Sequence, residues 1–220
     1  MSSPGSAEPG HGPGRVTGLE ADPRRAGTVR IDLDEQRFAS VPAELVLLEG
    51  LKLGQVLDDA LRERLGSAAE RESAYRTALR ALERRGFARA DLARRLLRKG
   101  HIRSAVEAAL DQLAAVGVLD DHAFAEHYVA TRGARGRGPL RLTRDLLAMG
   151  VERRVIDRAL SAHQADAGES TELPLALASR RAAQLGNIPR AAKRRRLLAY
   201  LARRGYAGRE VSTMVSRLVG

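Results

Sequence analysis

The chain has 220 residues, of which 44% are hydrophobic but only 3% aromatic; it has no Trp and no Cys. It has length for one or two domains, and its core must be built mainly from Leu, Val, Ile and Ala, a mix suited to thin helical layers rather than a β-sandwich. The lack of Cys excludes disulfides, thiolate metal sites and Cys nucleophiles. The formal charge of +11 is unevenly placed. Residues 1–67 hold 8 basic against 11 acidic side chains, a net of −3, whereas the remainder holds 30 against 16, a net of +14. That asymmetry favours a polyanionic partner such as DNA, RNA, an acidic protein surface or anionic lipid; simple solubility in an Arg-rich proteome is the alternative. Only Lys52, Lys99 and Lys193 are lysines. The sequence has neither an apolar run long enough to span a membrane nor an N-terminal signal pattern, so a cytoplasmic protein is expected.

Residues 1–26 are rich in Gly, Pro, Ser and Ala and read as a disordered tail. Val29, Ile31 and Leu33 then alternate with Arg30 and Asp32, the period of a strand. Asp34-Glu35 turns the chain toward a second short strand near Arg37–Ser40, giving a β-hairpin. Pro42 opens a helix carrying Leu45, Val46 and Leu48, punctuated by Gly50 and Gly54. Leu57, Leu61 and Leu65 share one helical face. Together these form a small N-terminal module over residues 28–66.

Beyond residue 68 the pattern is helical and repetitive. Leu96, Leu146 and Leu201 each stand four residues before a glycine: Gly100, Gly150 and Gly205. Apolar pairs follow at fixed offsets, Val106 with Leu110, Ile156 with Leu160, and Val211 with Val215. A glycine at C′ ends one helix in the left-handed conformation, and the next helix packs back. Each repeat has a further helix in front, marked by Tyr75, Leu79 and Leu82, by Phe124, Tyr128 and Val129, and by Leu173 and Leu177. Thr171 is the expected N-cap of that last helix, with Pro174 in its first turn. The expected architecture is mainly all-α: three tandem three-helix repeats at 68–118, 119–164 and 171–220, forming an elongated curved array behind the N-terminal module.

Several clusters invite a chemical reading. Asp120-Asp121 opens a helix and reads first as a cap. His122, Glu126 and His127 do not make a zinc site, because His127 points away from His122 and no further ligand cluster joins them. The stretch Arg132-Gly133-Ala134-Arg135-Gly136-Arg137-Gly138 follows a helix and lacks Gly-Lys-Ser/Thr, so it reads as a flexible basic loop rather than a nucleotide site. Arg132, Arg135, Arg137, Arg141 and Arg144 are candidate contacts to phosphate or carboxylate. Arg190, Lys193, Arg194, Arg195 and Arg196 crowd one helix, beside core residues Leu197, Leu198 and Leu201. Arg94, Arg95 and Lys99 form a smaller cluster, which the helix dipole alone would also favour. The sequence has no serine elbow, no HExxH and no catalytic Cys, so no enzymatic site and no cofactor are expected.

One stretch resembles the RecX family: Leu119-Asp120-Asp121, Phe124-Ala125, Tyr128-Val129, Arg132, Gly138, Arg141-Leu142, Asp145-Leu146, Gly150-Val151, Ile156 and Ala159-Leu160. The first repeat is similar through Ala78-Leu79, Leu82, Asp91-Leu92, Leu96, Lys99-Gly100, Leu113 and Gly117. The third is similar through Lys193, Tyr200-Leu201, Arg203-Arg204-Gly205-Tyr206 and Val211. Ala88 departs from the pattern, standing where the family often has a capping serine, so the helix after it is expected to start loosely. The resemblance implies a non-enzymatic modulator that binds the RecA–DNA filament and blocks its extension or promotes its disassembly, suppressing strand exchange, ATP hydrolysis and repressor cleavage; a monomer is expected. Weak DNA affinity without sequence preference goes with that reading. A direct DNA-binding regulator with helix-turn-helix-like pairs is the alternative.

Overall fold

The computed structural model describes residues 14–167 and 172–220. The strands are β1 (Val16–Ala21), β2 (Thr28–Leu33) and β3 (Gln36–Pro42). The helices are α1 (Ala43–Leu48), α2 (Asp59–Leu82), α3 (Arg89–Arg98), α4 (Arg103–Ala115), α5 (Asp121–Gly133), α6 (Pro139–Met149), α7 (Arg153–Ala167), α8 (Glu172–Gln184), α9 (Arg190–Arg204) and α10 (Arg209–Val219). They fold as two compact units, one of residues up to Ala81 with Leu96–Leu113, the other of Leu82–Arg95 with Ala114–Gly220.

In the first unit the sheet has the order β1-β2-β3 and is antiparallel throughout. Asp34 and Glu35, both at positive φ, form the two-residue turn between β2 and β3, whose twist matches the strands. The expected hairpin therefore has a third strand, and residues 14–26 are not a disordered tail. Main-chain pairing of Leu19 with Ile31 and Ala21 with Val29 holds β1 in place, and Val16 is buried in the core. Local pattern hid this strand because Thr17, Gly18, Glu20 and Ala21 show no alternation. The part of the expected tail at residues 1–13 lies outside the described residues, as does Thr171.

The inner face of the sheet (Val16, Ile31, Ala39, Val41) packs with Leu57, Leu61, Leu65 and Ala68. On the other face Asp22 accepts hydrogen bonds from the Ser40 hydroxyl (2.8 Å) and the Arg24 N–H (2.9 Å). Those bonds, with Arg37 and Arg25 nearby, hold its carboxyl below the ordinary carboxylate value. α2 runs unbroken through 66–68, where a boundary between module and first repeat was expected. Gly66 sits inside it, at the usual cost of about 1 kcal/mol relative to Ala. Tertiary packing on both halves outweighs that cost: Leu61 and Leu65 lie in the sheet core, and Ala74 packs against Ala105 and Ala109 of α4.

In the second unit α5, α6 and α7 close over Ala125, Val129, Leu142, Leu146, Val155, Ile156 and Ala159. α8, α9 and α10 close over Ala178, Leu197, Leu201 and Val215. Asp120 is the N-cap of α5, accepting from the His122 N–H (2.7 Å) and the Ala123 N–H (3.2 Å). Asp121 does something the sequence concealed: its Oδ1 accepts the Arg89 N–H at 2.7 Å, so the start of α3 is capped from α5 despite Ala88. No helix among the described residues is long and apolar enough to cross a membrane.

Candidate partner-binding surface

The glycine that ends the second helix of each repeat has positive φ: 90° at Gly100, 86° at Gly150 and 94° at Gly205. Two of these turns also join successive repeats. The Gly138 N–H donates to the Arg204 carbonyl (2.7 Å) and the Leu140 N–H donates to the Gly205 carbonyl (3.2 Å). The free N–H groups that open α6 thus meet the free carbonyls that close α9, satisfying both ends and aligning their dipoles. A Cβ on Gly138 would lie 2.6 Å from the Gly205 backbone, so the contact excludes any larger residue. At the other end of α6, Arg94 Nη2 donates to the Ala148 carbonyl (3.1 Å), and a Cβ on Gly150 would lie 2.5 Å from Ala90 Cβ. Within this unit α9, α6 and the first two turns of α3 therefore follow one another end to end.

This arrangement corrects the reading of residues 132–138 as a flexible loop. Gly133, Gly136 and Gly138 are buried, the Gly136 N–H donates to the Gly133 carbonyl (2.7 Å), and the loop rests on the end of α9. Arg137 is fixed from inside, its Nη1 donating to Asp145 Oδ2 (2.6 Å) and to Tyr128 Oη (3.0 Å). Arg141 Nε lies 2.9 Å from Asp145 Oδ1. Asp145, its side chain 14% exposed, thus takes a guanidinium on each oxygen. Burial, and then the Asp145 charge, raises the Tyr128 hydroxyl pKa, keeping it a neutral donor. The sequence marked Arg137 and Arg141 as candidate contacts to a partner's phosphate or carboxylate, and the carboxylate they meet is the chain's own Asp145.

The other candidate cations divide by partner. Arg132 lies over the Tyr128 ring (5.6 Å to the centroid). Arg95 is half-buried with its guanidinium 5.8 Å from the Phe87 centroid, and its Nε has no hydrogen-bond partner among the described residues. Lys193 donates to the Gly186 carbonyl (3.2 Å). Arg194 is spent on α10, donating to Ser216 Oγ (3.0 Å) and Ser212 Oγ (2.9 Å). Lys99, Arg135, Arg144, Arg195 and Arg196 are exposed. Arg203, placed in the family-like stretch but not among the candidate contacts, joins Arg195 and Arg196 on the outer face of α9, interleaved with exposed Ala199 and Ala202. α9 contains no acidic residue, and among the described residues Arg195, Arg196 and Arg203 make no ion pair, so positive charge dominates this face. The signal for Arg203 was its spacing of seven from Arg196, two turns along the same face.

A family model described as "RecX, second three-helix domain" matches residues 120–160, which cover most of α5–α7. "Regulatory protein RecX" of Mycobacterium leprae is 36% identical over 158 residues, spanning 68% of this chain and 88% of that protein. The chain belongs to the RecX family. The RecX of Halorhodospira halophila is 40% identical over 100 residues, covering 46% of this chain and 62% of that protein. A crystal structure of a regulatory protein RecX superposes with a TM-score of 0.75, covering 93% of this chain and 99% of that one at 24% identity. These relatives are named as regulators, and the superposition over 93% of this chain shows that it shares its fold with that RecX structure.

Proposed function

We propose that this protein is a negative regulator of the RecA recombinase, binding the RecA–DNA filament and inhibiting its ATPase, strand-exchange and co-protease activities. Membership of a family of regulatory proteins carries the reading, and the acid-free arginine face of α9 supports it, because a filament wrapped on DNA is a polyanion. Arg195, Arg196, Arg203 and Arg135 are the cations we assign to that contact, with Lys99 as a further exposed one. Arg137 and Arg141 are assigned to holding the loop. In this reading the protein acts in the cytoplasm as a monomer, without a cofactor or a catalytic residue, as a small N-terminal module followed by three helical repeats.

The test is RecA-dependent ATP hydrolysis on single-stranded DNA, with this protein titrated in below stoichiometry. Loss of hydrolysis at low ratios to RecA is expected, since so little protein cannot occupy the DNA itself. No effect at equimolar protein and low salt refutes the reading. A strong preference for one duplex sequence would instead point to direct DNA reading by helix-turn-helix-like pairs.

A further inference from the structure

α6 has two sides. Leu142 and Leu146 face the core, while Leu140 and Leu147 are 61% and 46% exposed. At 100° per residue, Leu140, Arg144 and Leu147 fall within about 60° of one another, on the side opposite Leu142 and Leu146. Arg144 is exposed and has no ion pair or hydrogen bond among the described residues. The carboxylate of the same helix, Asp145, is turned away to Arg137 and Arg141. The outer face of α6 is therefore a strip about 10 Å long that reads leucine, arginine, leucine and carries no negative charge.

That composition differs from the outer face of α9, where Arg195, Arg196 and Arg203 alternate with alanine. Leucine methyl groups gain nothing against hydrated phosphate, but gain by leaving water against apolar side chains. Docking there is most favourable where the lone cation between them meets a carboxylate. We infer that the Leu140–Arg144–Leu147 strip is a protein-docking surface, and that its occupant is a protein element presenting a carboxylate flanked by apolar side chains. The end-to-end junction of α9 with α6 places the strip on the helix that follows the arginine-bearing α9 within the same unit, so in this reading protein and nucleic acid contacts fall to successive helices. Resting on the proposed function, the inference takes the occupant to be part of the filament's protein.

The experiment compares three variants, L140S/L147S, R144E and R195E/R196E/R203E, all at exposed positions, with folding checked by circular dichroism. Each is titrated against RecA filaments formed on a labelled oligonucleotide with a non-hydrolysable ATP analogue, and against the bare oligonucleotide. L140S/L147S is expected to weaken filament binding by about tenfold or more, while bare-oligonucleotide affinity stays within about twofold of wild type. R144E should behave alike, and the α9 variant should lose both affinities, with a shallower salt dependence. Wild-type binding to filaments with L140S/L147S unchanged overturns the strip. Equal loss of both affinities in L140S/L147S assigns it to nucleic acid instead. A wild-type dimer that L140S/L147S dissociates assigns it to a second copy of the chain. Absence of wild-type binding to filaments refutes the functional reading itself, and the partner assigned to the strip with it.

Discussion

Replacing the three repeat-ending glycines by alanine one at a time separates local backbone strain from packing between repeats. All three have φ near +90°, so each substitution carries the left-handed penalty, about 1–2 kcal/mol for a residue with a Cβ. At Gly100 a new Cβ meets nothing within 4 Å, and the penalty is the whole effect. At Gly205 the new atom would stand 2.4 Å from the Arg141 nitrogen, 2.5 Å from Arg141 Cβ and 2.8 Å from the Gly138 oxygen. Two of these three are backbone atoms, so relief requires α6 to separate from α9, breaking the Gly138–Arg204 and Leu140–Gly205 hydrogen bonds. At about 1 kcal/mol each, those bonds and the strain together place G205A at about 3–4 kcal/mol, before any lost packing. G150A, which drives a Cβ into the Ala90 methyl rather than into backbone, falls between G100A and G205A. Urea unfolding followed by circular dichroism should rank the losses G100A, G150A, G205A in rising order. Three equal losses would refute the end-to-end junction and leave only local strain.

Two further outcomes follow from the buried polar clusters. D145A removes the anion shared by Arg137 and Arg141 and leaves two half-buried guanidiniums unmatched; it should cost about 2 kcal/mol in urea unfolding, and D145N should recover part of that. The folded-state pKa of Asp22 is lowered, so its stabilising contribution is present above the ordinary carboxylate pKa and is lost as pH falls through the folded value. Below about pH 4 the first unit of wild type should therefore lose stability more steeply than in D22N, and S40A should lie between; parallel curves for wild type and D22N would show that the carboxylate contributes nothing specific.

Much of the framework is local and was legible in the chain. The glycines at 100, 150 and 205 end helices because a left-handed residue is a property of the turn itself. Leu96, Leu146 and Leu201 are fully buried because a 3.6-residue period marks one face whatever that face later meets. Asp120 caps α5 through its own next neighbours. The candidate site was legible only in part: the cationic helix at 190–196 stood out by composition, but which cations were free did not. Arg194 is bound to Ser212 and Ser216, and Arg137 and Arg141 to Asp145.

Short-range pattern was thus enough to specify the helical periodicity, its glycine ends and the placing of positive charge in the C-terminal two-thirds. Tertiary structure decided the rest: β1 as a third strand, Asp121 as the cap of α3, Gly205 against Gly138, and the division of arginines into internal clamps and an open face. The physical reason is sequence distance. Periodicity and turn chemistry act within a few residues, whereas the partner of Arg89 lies 32 positions away and the would-be Cβ of Gly205 meets Arg141, 64 positions away. No local pattern encodes a partner that far along the chain.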